Sequence, residues 1–260
     1  MPTTNTLEDI LKKDRVIVLT ALLVLCVLSW LYIIYLYRQM YPMNMDALFF
    51  AMPMTPLWSW TDFVLLFLMW IVMMIAMMTP SVTPLVLIFA MINRQRKQQQ
   101  NPFVSSGYLL GGYFIVWGVF SLFATLLQWL LQQVSLLSPE METTSNILGG
   151  IIVTTAGIFQ FTPLKYACLK HCRTPINFIS SKWKQGKWGA LQMGMENGLY
   201  CLGCCWILMI LLFVSGIMNL LWIAIIALFV LVEKVFPAPK LVSAIAGIVL
   251  ITYGIIILAR

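Results

Sequence analysis

Charge is what this chain has least of. Of its 260 residues only 10% are charged, 9 are acidic, and His171 is the single histidine. Soluble domains carry about 25% charged residues. A soluble chain that is 61% hydrophobic would expose apolar patches and aggregate. Long polar stretches are missing as well. None exceeds roughly 30 residues, which is too short for a core of its own. A separate soluble domain is therefore excluded, and residues 1–260 are read as one integral membrane domain. No Walker loop, dinucleotide fingerprint or hydrolase elbow occurs, which speaks against nucleotide-driven and acyl-transfer enzymes. No internal repeat is evident.

What is present is a series of apolar runs, with a mean hydropathy of +0.92 over the chain. They predict an all-α, polytopic transmembrane helix bundle of about seven helices, at residues 16–37, 60–91, 107–132, 146–164, 198–214, 220–236 and 241–258. The first run is too long for a signal h-region and lacks a small-residue cleavage site, so it is expected to stay as a helix. Helix 2 is interrupted by Pro80 and Pro84, and such a break in lipid must be satisfied by neighbouring groups.

The net charge of +7 would suit nucleic acid, but its distribution points to lipid. With the N-terminus in the cytoplasm, 14 of the 16 basic residues fall on the inner side, all but Arg38 and Arg260. That is the positive-inside pattern, and seven crossings put the C-terminus outside. The expected partners are the lipid bilayer and other membrane subunits, with no nucleic acid. Residues 176–191, which mix Phe178, Ile179, Trp183 and Trp188 with lysines, read equally as an amphipathic surface segment or as a basic loop.

Chemistry concentrates in the six cysteines. On a helix Cys168 lies one turn from both His171 and Cys172, and thiolate with imidazole suits copper, zinc or iron. The other reading is a juxtamembrane cysteine pair in a basic run, open to palmitoylation. Cys201, Cys204 and Cys205 sit in a run with Gly198 and Gly203, whose missing side chains let another helix approach. Here the alternatives are a functional thiol cluster and small-residue packing. Topology sets the two groups near one leaflet on consecutive helices. On helix 2, Met69, Met73 and Met77 form a stripe and Met74 and Met78 another. Thioethers suit Cu(I), yet methionine stripes usually pack a core. Met40, Met43, Met45, Met52 and Met54 enrich the loop before it. Among the acids, Asp62 is placed to cap helix 2, Glu196 lies near the cysteines, and Glu233 is expected to reach the interface beside Lys234.

These residues carry a resemblance over most of the chain. The motifs are Met69-Trp70 with Met73, Met74, Met77, Met78, Pro80 and Pro84; Thr162-Pro163-Leu164-Lys165 with Cys168, Cys172, Arg173 and Pro175; Met193-Gly194 with Gly198, Cys201, Gly203, Cys204, Cys205, Trp206 and Met209; and Gly216 through Asn219 with Trp222, Glu233 and Lys234. The chain resembles a bacterial family of uncharacterised, predicted metal-binding integral membrane proteins, catalogued as a domain of unknown function. The resemblance implies a bacterial cytoplasmic-membrane protein with metal-binding ancestry. The family pattern has histidine before the glycine that is Gly198 here, whereas this chain has Asn197, a poor transition-metal ligand. The leading expectation is a protein that binds a soft metal, copper first, for metal handling or metalloenzyme assembly. Cys168, Cys172, Cys201, Cys204 and Cys205 are the expected ligands, with His171, Met73 and Met77 as further candidates. The alternatives are a non-catalytic structural subunit of a larger membrane complex and, behind it, a thiol redox protein. A proton-coupled transporter is not evident, because ionisable residues within the spans are scarce.

Overall fold

The computed structural model describes residues 4–40, 58–98, 104–137 and 145–259. Every regular element among them is a helix: α1 Thr4–Met40, α2 Trp60–Gln98, α3 Ser106–Gln133, α4 Asn146–Phe159, α5 Pro163–Arg173, α6 Pro175–Lys182, α7 Gly186–Ile210, α8 Leu212–Ser215, α9 Leu220–Val235 and α10 Pro239–Leu258. The protein is an all-α bundle. The methionines Met43, Met45, Met52 and Met54 and the acids Glu140 and Glu142 lie outside the described residues.

Each of the seven apolar runs corresponds to a helix, α1–α4, α7, α9 and α10. Five helical stretches are long and apolar enough to cross a membrane: Arg15–Arg38, Trp60–Arg94, Ser106–Gln133, Gly186–Ser215 and Pro239–Leu258. The pair α4 and α5, bent by 62° at its break, is a broken span or a re-entrant loop, and makes a sixth stretch only if it counts as one span. The 16-residue α9 spans only about 24 Å at 1.5 Å per residue, short of a hydrocarbon core of about 30 Å.

The largest departure from the sequence reading is the stretch between α4 and α7. The fourth run ends at Phe159, and a new helix starts at Pro163 because Thr162 caps it, its side chain accepting from Lys165 N. Proline at the first helical position suits this start, having no N–H to leave unpaired. The same Thr-Pro pairing opens α6 at Pro175. Residues 176–191 thus hold a short helix that buries Phe178 and Ile179, and then the start of α7. The fifth run begins at Gly186, twelve residues before the expected Gly198, because Gly189, Ala190, Met193 and Gly194 continue its buried face.

α2 runs unbroken through its prolines. Pro80 has no N–H for the carbonyl of Ala76, and the thiol of Cys26 on α1 approaches that oxygen at 3.7 Å. The hydroxyl of Thr79 bonds Ile75 O at 2.6 Å and that of Thr83 bonds Thr79 O at 2.8 Å. Asp62 does cap this helix: its carboxylate accepts from Ser59 N at 2.8 Å while Ser59 Oγ accepts from Asp62 N at 3.3 Å, a reciprocal capping arrangement. Trp70 donates to Gln128 Oε1 at 2.8 Å, tying α2 to α3 in the core.

α3 and α7 approach backbone to backbone. A Cβ on Gly194 would stand 2.0 Å from Leu109 O, and one on Gly112 would stand 2.1 Å from Leu191 O. Only glycine permits this separation, which sets the register of Tyr113 against Cys201.

Candidate metal centre

The bend before α5 lays that helix against α7. Cys168 and Cys172, four residues apart, share a face of α5. Gly203 makes room for the first, since a Cβ there would stand 2.7 Å from Cys168 Sγ. On α7, Cys201, Cys204 and Cys205 are all buried. Cys172 and Cys201 line one cavity, and the thiols of Cys172 and Cys205 each interact with those of Cys201 and Cys204. All six cysteines are free thiols. The structure therefore gathers four sulfurs from two helices, with Cys168 at the edge of the group.

In this arrangement the α7 thiols are turned inward on their own helix. Cys204 Sγ donates to Cys201 O at 3.0 Å and Cys205 Sγ to the same oxygen at 2.9 Å. Among the described residues no three side chains of His, Cys, Asp or Glu stand at the spacing of a ready-made metal site. Holding an ion there would require the thiols to give up these back-bonds and to release their protons to solvent.

Two polar groups from other helices meet Cys201. Lys234 Nζ of α9 lies 2.9 Å from its Sγ, and Tyr113 Oη of α3 lies 3.0 Å from it. A cavity of about 200 Å³ opens beside them, lined by Tyr113, Cys172, Asn197, Cys201, Lys234 and Ser81 among others. The Ser81 hydroxyl has no hydrogen-bond partner among the described residues. The position that the family resemblance gives to histidine, Asn197, thus faces the same space as Cys172 and Cys201.

The other candidates stand elsewhere. His171 is exposed, its Nδ1 lies 2.9 Å from Ala167 O, and its ring stacks on Tyr200 with centroids 4.4 Å apart. Met73 and Met77 are buried in the core, and α2 lends the cavity Pro80, Ser81, Pro84 and Leu85 instead. Glu196 pairs with Lys184 at 2.5 Å and with Lys182 at 3.7 Å.

Sequence reasoning missed the polar partners. Lys165, counted with the surface lysines, is fully buried and lies 2.5 Å from the equally buried Glu233. Gln160 accepts from Lys165, and Ser243 donates to Glu233. Four helices, α4, α5, α9 and α10, meet in this network, which fixes α9 and hence Lys234. Glu233, expected to reach the interface, is instead buried; an acid at the end of an apolar run was the one signal in the sequence.

A family model described as PpoB2, copper chaperone, matches residues 67–257. The chain belongs to the PpoB2 copper chaperone family. No curated protein and no solved structure matches it. The matched span covers every thiol of the cluster together with Tyr113, Asn197 and Lys234. Among the described elements, α1 and the start of α2 precede it. The family gives the soft-donor set a copper context and agrees with copper as the leading expectation.

Proposed function

We propose that this PpoB2-family chain is a membrane-embedded copper chaperone that carries Cu(I) between Cys172 on α5 and Cys201, Cys204 and Cys205 on α7, for assembly of a copper enzyme. The observation that carries this reading is the meeting of thiols from two helices beside Lys234. Thiolates are soft donors and select Cu(I) over harder ions. Cu(I) bound by two thiolates has a net charge of −1, which is costly away from water unless it is paired. Lys234, 2.9 Å from Cys201 Sγ, supplies the compensating charge. A cargo site must also release its ion. Four sulfurs around one small ion offer exchangeable pairs, so the ion can pass from one pair to the next without leaving sulfur. The apolar outer faces of the long helices and the inward bias of the basic residues support placement in a bilayer with the N-terminus inside.

The test is elemental analysis of protein purified anaerobically in mild detergent and loaded with Cu(I), beside C172S and the triple variant C201S/C204S/C205S. The expected result is near-stoichiometric copper in the parent, with sulfur as the dominant ligand in X-ray absorption, and background copper in the triple variant. A parent that retains no copper after loading, or a triple variant that retains as much as the parent, would sink the proposal.

A further inference from the structure

A second cavity, of about 600 Å³, lies between the C-terminal half of α5 and the turn from α9 into α10. Its lining includes three cations, Lys170, Arg173 and Lys240, and no acid. The carboxylates whose side chains the structure describes are all engaged elsewhere: Asp62 by Ser59, Glu196 by Lys182 and Lys184, and Glu233 by Lys165 and Ser243. Three like charges around one space repel one another unless an anion lies among them. Arg173 is held in place, because its Nη2 donates to Phe236 O at 2.5 Å across the gap between α5 and the α9–α10 turn. A guanidinium has five N–H donors, so this anchoring bond leaves four for a ligand.

The surroundings of the charges are apolar. Tyr166, Leu169, Pro237 and Pro239 share the lining. Val235, Phe236 and Leu241, on the same turn and the first turn of α10, expose hydrophobic side chains. α10 is one of the stretches long and apolar enough to cross a membrane, and the cavity lies where it begins. Cations at the end of a span with greasy side chains beside them present a phosphate to the charges and a hydrocarbon tail to the apolar surface. Basic pockets of this kind at the ends of spanning helices take anionic headgroups.

We infer that this cavity binds the phosphate headgroup of an anionic phospholipid and that a doubly charged headgroup binds best. The site adjoins the cavity beside the thiol cluster, with Arg173 lining both, and contains no cysteine of its own. The inference rests on the membrane placement proposed above and is independent of copper. Phosphate is the recognised chemistry, and its two sources, lipid and free ion, are separated by the test.

The protein is delipidated in detergent, and retention of added cardiolipin, phosphatidylglycerol or phosphatidylcholine is followed by native mass spectrometry, with and without millimolar inorganic phosphate. The parent is expected to retain cardiolipin most and phosphatidylcholine least. K170Q/K240Q, which leaves the Arg173 anchor intact, is expected to lose at least tenfold in cardiolipin retention. K170R/K240R keeps the charge and is expected to retain the lipid. K182Q/K187Q makes the same charge change outside the cavity and is expected to behave as the parent. Equal loss in K182Q/K187Q and K170Q/K240Q would overturn the site, as would equal retention of phosphatidylcholine and cardiolipin. Full displacement of the lipid by inorganic phosphate would overturn the lipid assignment. Unfolding midpoints taken alongside show that each variant is folded.

Discussion

Lys234 Nζ on α9 sits 2.9 Å from Cys201 Sγ on α7, in the cavity that Asn197 and Cys172 also line. It is half-buried, and the sulfur it faces also lies 3.0 Å from Tyr113 Oη. A hydrogen bond that involves a charged group contributes about 1.5–3 kcal/mol, and each 1.4 kcal/mol is a factor of ten in affinity. K234M is therefore expected to weaken Cu(I) binding by roughly ten- to a hundredfold, while K234R retains most of it. Competition with a chromogenic Cu(I) chelator reads this directly. Unchanged affinity in K234M would show that Lys234 only packs beside the site.

The neighbouring residue on α9 makes a different kind of contact. Glu233 and Lys165 are both fully buried and 2.5 Å apart. Removing one partner strands a charge in the interior, at a cost of about 3–5 kcal/mol, whereas replacing both is close to neutral. K165M and E233Q alone are expected to lower the unfolding midpoint in detergent strongly, and K165M/E233Q is expected to recover most of the loss. A double variant as unstable as the sum of the two singles would mean that the pair is not coupled.

These two lysines show where the sequence stops being legible. The apolar runs mark the helices because lipid-facing and core-facing residues are both hydrophobic, so the runs survive any tertiary arrangement. The cysteines were equally plain, and Gly203 was read correctly as a place of close approach. Lys165 looked like one more inner-surface lysine, since its burial depends on an acid far along the chain. α5 and α6 were hidden because Thr162-Pro163 and Thr174-Pro175 are short start signals inside a charged stretch, where no apolar run announces a helix. Tyr113 carried no local mark at all. It reaches Cys201 because Gly112 and Gly194 let α3 and α7 touch.

That contact makes a prediction about one substitution at two glycines. At Gly194 a Cβ would stand 2.0 Å from Leu109 O, whereas at Gly118 on α3 nothing lies within 4 Å. Overpacking costs about 1–3 kcal/mol, with the rigid backbone here favouring the upper end. Alanine at an unobstructed helical position instead gains up to about 1 kcal/mol over glycine. G194A is expected to destabilise the protein and to lower copper retention by parting Tyr113 from Cys201, while G118A is neutral or stabilising. Thermal unfolding of both variants, read with their copper content, checks this. Equal stability of the two would mean that α3 and α7 are not in backbone contact.

The last prediction concerns two positions where histidine matters in opposite ways. His171 is exposed and stacked on Tyr200, one Nδ1 contact from Ala167 O, so its imidazole takes no part in the thiol cluster. H171A is expected to keep the parent's copper stoichiometry and affinity. Asn197 instead lines the cavity with Cys172 and Cys201, and an imidazole there would face sulfur ligands it can join. Imidazole is a good ligand for copper where a carboxamide is poor. N197H is therefore expected to tighten Cu(I) binding by about tenfold or more, equivalent to about 1.4 kcal/mol, and to add a nitrogen to the copper ligands in X-ray absorption spectra. The gain in affinity and the nitrogen signal should appear together. Tighter binding without nitrogen would place the effect in packing, and nitrogen lost on H171A would put the copper on the outer face of α5 and away from Cys201.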